Sequence, residues 1–264
     1  MADPDPPRSP FAGLGDFADD APLRLIARAE LARILEAHER YAESGQRQGR
    51  RAKLDSTDLA GKSFAGRKLW RIQMRRADLA GADFRGADLR RAHLIGARLE
   101  GGRVAAADFT QGRLSGINLA GVEGEGARLA EADIEFAIMA GANFRHADFH
   151  GADMSGAVID GADLGGADLR RANLRGASFR KARLCDADLR EARMGGTIFT
   201  DASLTGADLR GAYLRVARFG RADLSGADLR GARGLTRAQV EEAVRDAATR
   251  LPPGLLTEEP EDGE

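Results

Sequence analysis

The sequence predicts an all-β fold: a parallel coil with four sides, about nine turns long, with a capping α-helix at each end. Three observations predict it. An apolar residue recurs at every fifth position from Leu54 to Leu229 without a frame shift; of 36 such centres, 20 are Leu, eight Phe, four Met, two Ile, one Val, and one is Gly124. Ala stands two residues before the centre at 27 of these places, and Gly two residues after it at 20. The tetrapeptide Ala-Asp-Leu-Arg occurs at 87–90, 167–170, 187–190, 207–210 and 227–230, always at multiples of twenty residues, or four units.

An α-helix cannot use a period of five. Successive centres would sit about 140° apart and wind around the helix. Gly at every fifth place would cost about 1 kcal/mol each. A plain strand fails too, because five is odd and side chains alternate with period two. A short straight stretch followed by a bend satisfies the pattern. Ala and the centre face inward, the residue between them faces out, and the last two turn a corner where Gly tolerates the backbone. Four units per circuit give nine circuits from 36 units. Stacked at about 4.8 Å, they make a rod about 43 Å long. Gly124, beside Val122, is the one break in the core and is expected to mark a bulge or bend.

The flanks supply covers for the open ends of such a coil. Residues 1–21 form an acidic, Pro-rich, disordered start. Residues 22–50 hold a helix and linker: Leu23, Ile26, Ala27, Leu31, Ile34, Leu35, His38 and Tyr41 lie on one helical stripe, with Asp20 as cap, Pro22 in the first turn and Gly45 at the end. His38 on that stripe reads as packing. Residues 51–233 are the repeat. Residues 234–252 are read as a C-terminal helix, opened by a Thr236/Gln239 capping box, carrying Val240, Ala243, Val244, Ala247 and Leu251 on one face and stopped by Pro252 and Pro253. Residues 253–264 are an acidic, disordered tail.

The Ala-Asp/Asn-Leu-x-Gly units resemble those of the bacterial pentapeptide-repeat proteins, over about two-thirds of the chain. The resemblance implies a right-handed quadrilateral β-helix. Ile34-Leu35-Glu36-x-His38-x-x-Tyr41 is similar to lead-in helices of some members. Leu235-Thr236 through Gln239 to Thr249-x-Leu251-Pro252 is similar to a common C-terminal extension, departing from it at Arg245-Asp246 and lacking a closing Trp. The best-understood members imply a DNA-mimicking protector of type II topoisomerase (gyrase), and a homodimer through the C-terminal helix fits that group.

Composition excludes several classes of function. One cysteine, Cys185, excludes an intramolecular disulfide framework and a Cys-based zinc site. No signal peptide and no membrane-spanning run is read, so a cytoplasmic protein without membrane insertion is expected. No phosphate-binding loop and no catalytic triad stands out, a surface without insertions offers no cleft, and no cofactor is implied. His146, Asp148 and His150 form the one metal-like constellation; they bracket a corner without a fourth ligand and read as solvated side chains. The chain is therefore expected not to be an enzyme.

Surface columns carry the functional reading, since residues twenty apart stack. Arg170, Arg190, Arg210 and Arg230 form one column beside Asp148, Asp168, Asp188, Asp208 and Asp228; this is either a neutralised face or a charged recognition grid. Outward Ile138, Val158 and Ile198, with Phe136 at the adjoining corner, form an apolar column that reads as a contact surface or as a cluster under a terminal segment. Net charge is −1, but residues 51–230 hold 29 Lys and Arg against 24 Asp and Glu. A DNA mimic needs a negative surface, and direct nucleic-acid binding needs unpaired cations and exposed aromatics, so both readings are disfavoured. The expected function is a non-enzymatic interaction or scaffold module with an unidentified protein partner; the alternative is the DNA-mimicking topoisomerase modulator.

Overall fold

The computed structural model describes residues 22–255; the expected disordered start and most of the acidic tail lie outside the described residues. Parallel bridges join residues twenty apart, from Lys53 with Gln73 to Tyr213 with Arg233, one per unit. Four units therefore complete one circuit. The bridged residue is the outward one between Ala and the centre. Among the described residues no longer strand forms; pairing is carried by these single residues and the bonds beside them. Each unit exchanges three bonds with its neighbouring circuits, such as Gln73 N to the Ala52 carbonyl (3.2 Å), Leu54 N to that of Gln73 (2.7 Å) and Ser56 N to that of Arg75 (2.8 Å).

The corners are type II turns. The residue three after a centre donates back to the centre's carbonyl, as Ile72 N does to Leu69 (2.9 Å). The residue between, two after the centre, has φ between +48° and +71° in all 36 units. That requirement explains the 20 Gly there, and it strains the sixteen other residues at this place.

Every apolar centre is buried, as are the Ala residues before them. Phe rings stack between circuits: Phe64 on Phe84 at 4.7 Å, and Phe179, Phe199 and Phe219 in a column at 5.4 Å spacing. The break expected at Gly124 is corrected. Its backbone pairing continues, Gly124 N donating to Asn143 at 2.7 Å. A Cβ there would lie 2.4 Å from the Phe144 ring, so the large side chain one circuit on fills the space and the rod needs no bulge.

Both flanking helices are shorter than their apolar stripes suggest. Helix α1 spans Arg28–Glu43, with Ala27 at its N-cap and no side-chain cap. Residues before it are extended, because the first circuit has an open edge that outcompetes helix bonds: Arg24 N donates to Ser56, and Asp58 N donates to Arg24. Leu31, Leu35 and His38 are the buried face of α1. Tyr41 stacks on Trp70, and Glu39 and Glu43 pair with Arg67 and Lys68.

At the other end, the capping box of Thr236 and Gln239 is present, but helix α2 spans only Arg237–Glu241. The last circuit's free backbone groups capture the chain beyond α2. Leu224 N donates to Val244 (2.8 Å) and Leu229 N to Arg250 (2.7 Å), while the Gln239 amide donates to the Leu214 and Ala217 carbonyls. Val240 and Leu251 are buried, whereas Val244, expected on the helix's apolar face, is 55% exposed.

Candidate interaction surfaces

The rod's sides are numbered in chain order from their centres: first from Leu54 to Leu214, second from Leu59 to Phe219, third from Phe64 to Leu224, fourth from Leu69 to Leu229. Their outward residues decide what each can contact.

On the fourth side the Arg and Asp columns close on each other. Arg170, Arg190, Arg210 and Arg230 each clamp the Asp two residues earlier with two nitrogens, at 2.6 Å for Nη2. Arg170, Arg190 and Arg210 also reach the Asp of the following circuit, at 3.5, 3.7 and 4.0 Å. Burial tends to raise the pKa of Asp168 and Asp208; the Arg side chain and a backbone N–H outweigh it, so both carboxyls titrate below their ordinary range. The third side repeats this motif at Asp83, whose hydrogen bonds from Arg85 bring its pKa down to about 2. A zipper of this kind spends its charge internally and offers outward only the remaining guanidinium edges.

The second side carries the apolar column, in register as the sequence implies, with bridges Ile138–Val158, Val158–Ser178 and Ser178–Ile198. Ile138, Val158 and Ile198 are half-buried. Ser178 is nearly buried and donates to Asp160, separating Ile198 from the other two. Phe136 is 39% exposed; its ring lies over Gly156, where a Cβ would approach to 2.6 Å. Phe136, Ile138 and Val158 thus form one continuous patch at the edge between the first and second sides.

The first side separates its charges. Asp133, Glu135 and Asp153 lie together, held by Ser115, Ser155 and Asn173. Burial, then the charges of Asp153 and Asp133, raise the Glu135 pKa. Toward the C-terminal end lie Arg175, Arg193 and Arg215, and Arg233, which lies over the Tyr213 ring and donates to its hydroxyl at 3.0 Å. These side chains wall an open groove of about 1150 Å³ floored by Gly195 and Gly196, so the expectation of a surface without any cleft is corrected: long side chains around small ones make a groove without an insertion. The segregation extends to the whole rod. Residues 51–120 hold 14 basic and 7 acidic side chains, residues 121–169 hold 2 and 10, and residues 170–233 hold 14 and 7.

His38 is packing, as its stripe implies. It is fully buried, and its Nδ1 accepts the Ala52 N–H at 3.0 Å. Burial lowers its pKa, against an opposing influence from the Leu69 backbone. Among the described residues no group of three His, Cys, Asp or Glu side chains has metal-binding geometry; His150 N donates to Asp148, and the His146 ring covers Gly166. The sequence reading missed Glu135, Arg193, Tyr213, Arg215 and Val216. Laying out the first side's column by circuits would have exposed the charge blocks.

This architecture, a coil of four-unit circuits with function left to its outer columns, is that of a repeat rod. The description "Pentapeptide repeats" matches in eight copies across residues 72–111, 127–166, 167–206 and 197–233, more than half of the chain. The chain belongs to the pentapeptide-repeat family. No curated protein matches it. Among solved structures it is similar to HetL, a pentapeptide-repeat protein involved in heterocyst differentiation regulation in Nostoc sp. strain PCC 7120, with 26% identity over 87% of this chain and 98% of that one and a TM-score of 0.46. It is also similar to QnrB1, a plasmid-mediated fluoroquinolone resistance protein, with 22% identity over 64% and 94% of the two chains and a TM-score of 0.35. A pentapeptide-repeat protein of the Arabidopsis thaliana thylakoid lumen shows 34% identity over 38% and 66%, with a TM-score of 0.28.

Proposed function

We propose that the chain is a non-enzymatic, cytoplasmic interaction module: a nine-circuit rod, closed at its ends by α1 and the C-terminal segment, that presents side-chain columns to a protein partner. The observation that carries this reading is the patch of Phe136, Ile138 and Val158, apolar side chains at surface places where the repeat mostly puts polar residues or Gly. The fourth side supports it by contrast, since its Arg residues are held by their own Asp partners. The DNA-mimic alternative draws on the acidic middle band, but basic bands on both sides interrupt any continuous negative track.

A pull-down comparing wild type with Ile138→Asp/Val158→Asp tests the module. Both side chains point away from the core, so the rod is expected to stay folded while one specific partner is lost. An unchanged capture profile removes this patch from the function.

A further inference from the structure

The first side has an electrostatic problem that a single chain does not solve. On the fourth side Arg170, Arg190, Arg210 and Arg230 each find an Asp within their own unit, and Arg128 finds Asp108 one circuit away. On the first side, among the described residues, no cation lies within ion-pair distance of Asp133, Glu135 or Asp153, and no carboxylate lies within that distance of Arg175, Arg193 or Arg215. The two blocks are separated along the rod by one to four circuit spacings of about 4.8 Å, and side chains at its far end do not bridge it.

We propose that two copies of this chain dock side by side and antiparallel through their first sides, about a twofold axis at the level of Asn173 and Arg175. Such an axis, lying in the contact plane and crossing both rods, reverses the order of circuits and keeps each edge against the same edge of the other copy. Glu135 and Arg215 stand forty residues, two circuits, on either side of Arg175; Asp153 and Arg193 stand one circuit on either side of Asn173. Each carboxylate therefore faces a guanidinium of the second copy, and symmetry makes every pair twice. Asp133 falls opposite Tyr213 of the second copy, whose hydroxyl already accepts from Arg233 and keeps its proton to donate.

The edge residues obey the same symmetry. Phe136 and Val216 lie on the edge between the first and second sides, two circuits above and below Gly176. The axis brings the Phe136 of one copy to the Val216 of the other. Phe136, Tyr213 and Val216 are three of the six exposed large hydrophobic residues in the described chain. Val216 is 69% exposed and is the one β-branched residue at a positive-φ corner, at +53°. A β-branched side chain is poorly tolerated there, and its apolar surface gains nothing within one chain. Two kinds of repulsive approach come with the arrangement: Arg175 meets its own copy at the axis, and Arg113 falls opposite Arg233 one circuit beyond each end of the contact.

The contact is about four circuit spacings, or about 19 Å, long, which places it at the small, salt-sensitive end of protein interfaces. It shares Phe136 with the partner patch but uses neither Ile138 nor Val158, the two residues changed in the capture test, so its failure leaves the partner-capture reading standing. Sedimentation velocity on the full chain at about 100 µM and low ionic strength tests it, with thermal melts to show that each variant folds. Wild type is expected to dimerise and to dissociate as salt rises. Glu135→Arg or Arg215→Glu alone weakens the dimer by about tenfold or more, because each replaces two attractions with two repulsions. The double reversal restores it, and Arg175→Ser tightens it. A wild type that stays monomeric, a dimer indifferent to Glu135→Arg, or a double reversal as weak as either single overturns the proposal.

Discussion

The first and fourth sides share one backbone and manage charge in opposite ways. Both repeat the same bridge, corner and Ala-centre pair every twenty residues. The fourth side places Arg two residues after Asp in the same unit, so each pair closes locally and links to the next circuit. The first side gathers carboxylates in adjacent circuits, with Asp133 bridged to Asp153, and sets its guanidiniums farther along the rod, with Arg193 and Arg233 on either side of Tyr213. The backbone is blind to this difference, since both patterns occupy the same outward places. What separates a surface that stabilises the chain from one left for another molecule is the sequence distance between opposite charges.

The largest effect expected from this contrast comes from one substitution made on each side. Asp188 accepts from Arg190 Nε at 2.8 Å and Nη2 at 2.6 Å, and Arg170 Nε lies 3.5 Å away. Asp188→Asn takes the clamped carboxylate from Arg190, leaving it only Asp208 at 3.7 Å, and is expected to cost about 1 kcal/mol. Asp153→Asn relieves repulsion with Glu135 and Asp133 but weakens the hydrogen bonds from Ser155 and Asn173 that outweigh burial and hold the Asp153 pKa below its ordinary range, so its effect is within about 0.5 kcal/mol. Urea unfolding of both variants measures the pair. Equal losses at the two positions would erase the distinction between the sides.

Much of this architecture was legible in the sequence, and what was hidden has a common cause. The period of five and the recurrence at twenty defined the circuit, because the core takes large apolar side chains at the centres and mostly Ala two residues before them. The same reasoning overextended both helices. Val240, Ala243, Val244, Ala247 and Leu251 do follow helical spacing, but the rod's last circuit offers unpaired backbone groups, and Val244 and Arg250 bind those instead. Gly124 read as a defect because its complement, Phe144, lies twenty residues away. The Arg and Asp columns were visible, though the clamp of each Arg onto its own unit depends on rotamers. The strain at Val216 could be read only once its corner φ was known.

Val216 allows the next test, because stability and association should move in opposite directions. Replacing it with Gly frees the corner from a positive φ that β-branched residues resist. Val216→Gly is expected to stabilise the monomer by about 1 kcal/mol while weakening lateral association, since the Phe136 of the second copy loses its apolar contact. The same change at Arg221, a corner residue on the second side paired with Asp201, relieves similar strain but removes an ion pair and leaves lateral association unchanged. A Val216→Gly protein that is both more stable and equally self-associating would show that the edge residue has no role in the contact.

The smallest effect is on titration, and it separates individual carboxyls on the two kinds of surface. Glu135 has its pKa raised above its ordinary 4.5, first by burial and then by Asp153 and Asp133, so the folded protein binds its proton more readily than the unfolded chain. Its ionisation therefore costs stability, and that cost is relieved as pH falls through its folded pKa toward 4.5. Asp83 has the opposite sign. Arg85 lowers its pKa from 3.8 to about 2, so its contribution is present above 3.8 and is lost as pH falls toward 2. Carboxyl carbon NMR on the monomer should show Glu135 titrating above 4.5 and Asp83 near 2, with Asp168 and Asp208 also below their ordinary range. Docking of the second copy puts Arg215 against Glu135, so at concentrations where the dimer forms the Glu135 midpoint should move down while that of Asp83, on the third side, stays where it is. A Glu135 midpoint independent of protein concentration would separate the strained acidic block from the lateral contact and leave the two sides different only within the monomer.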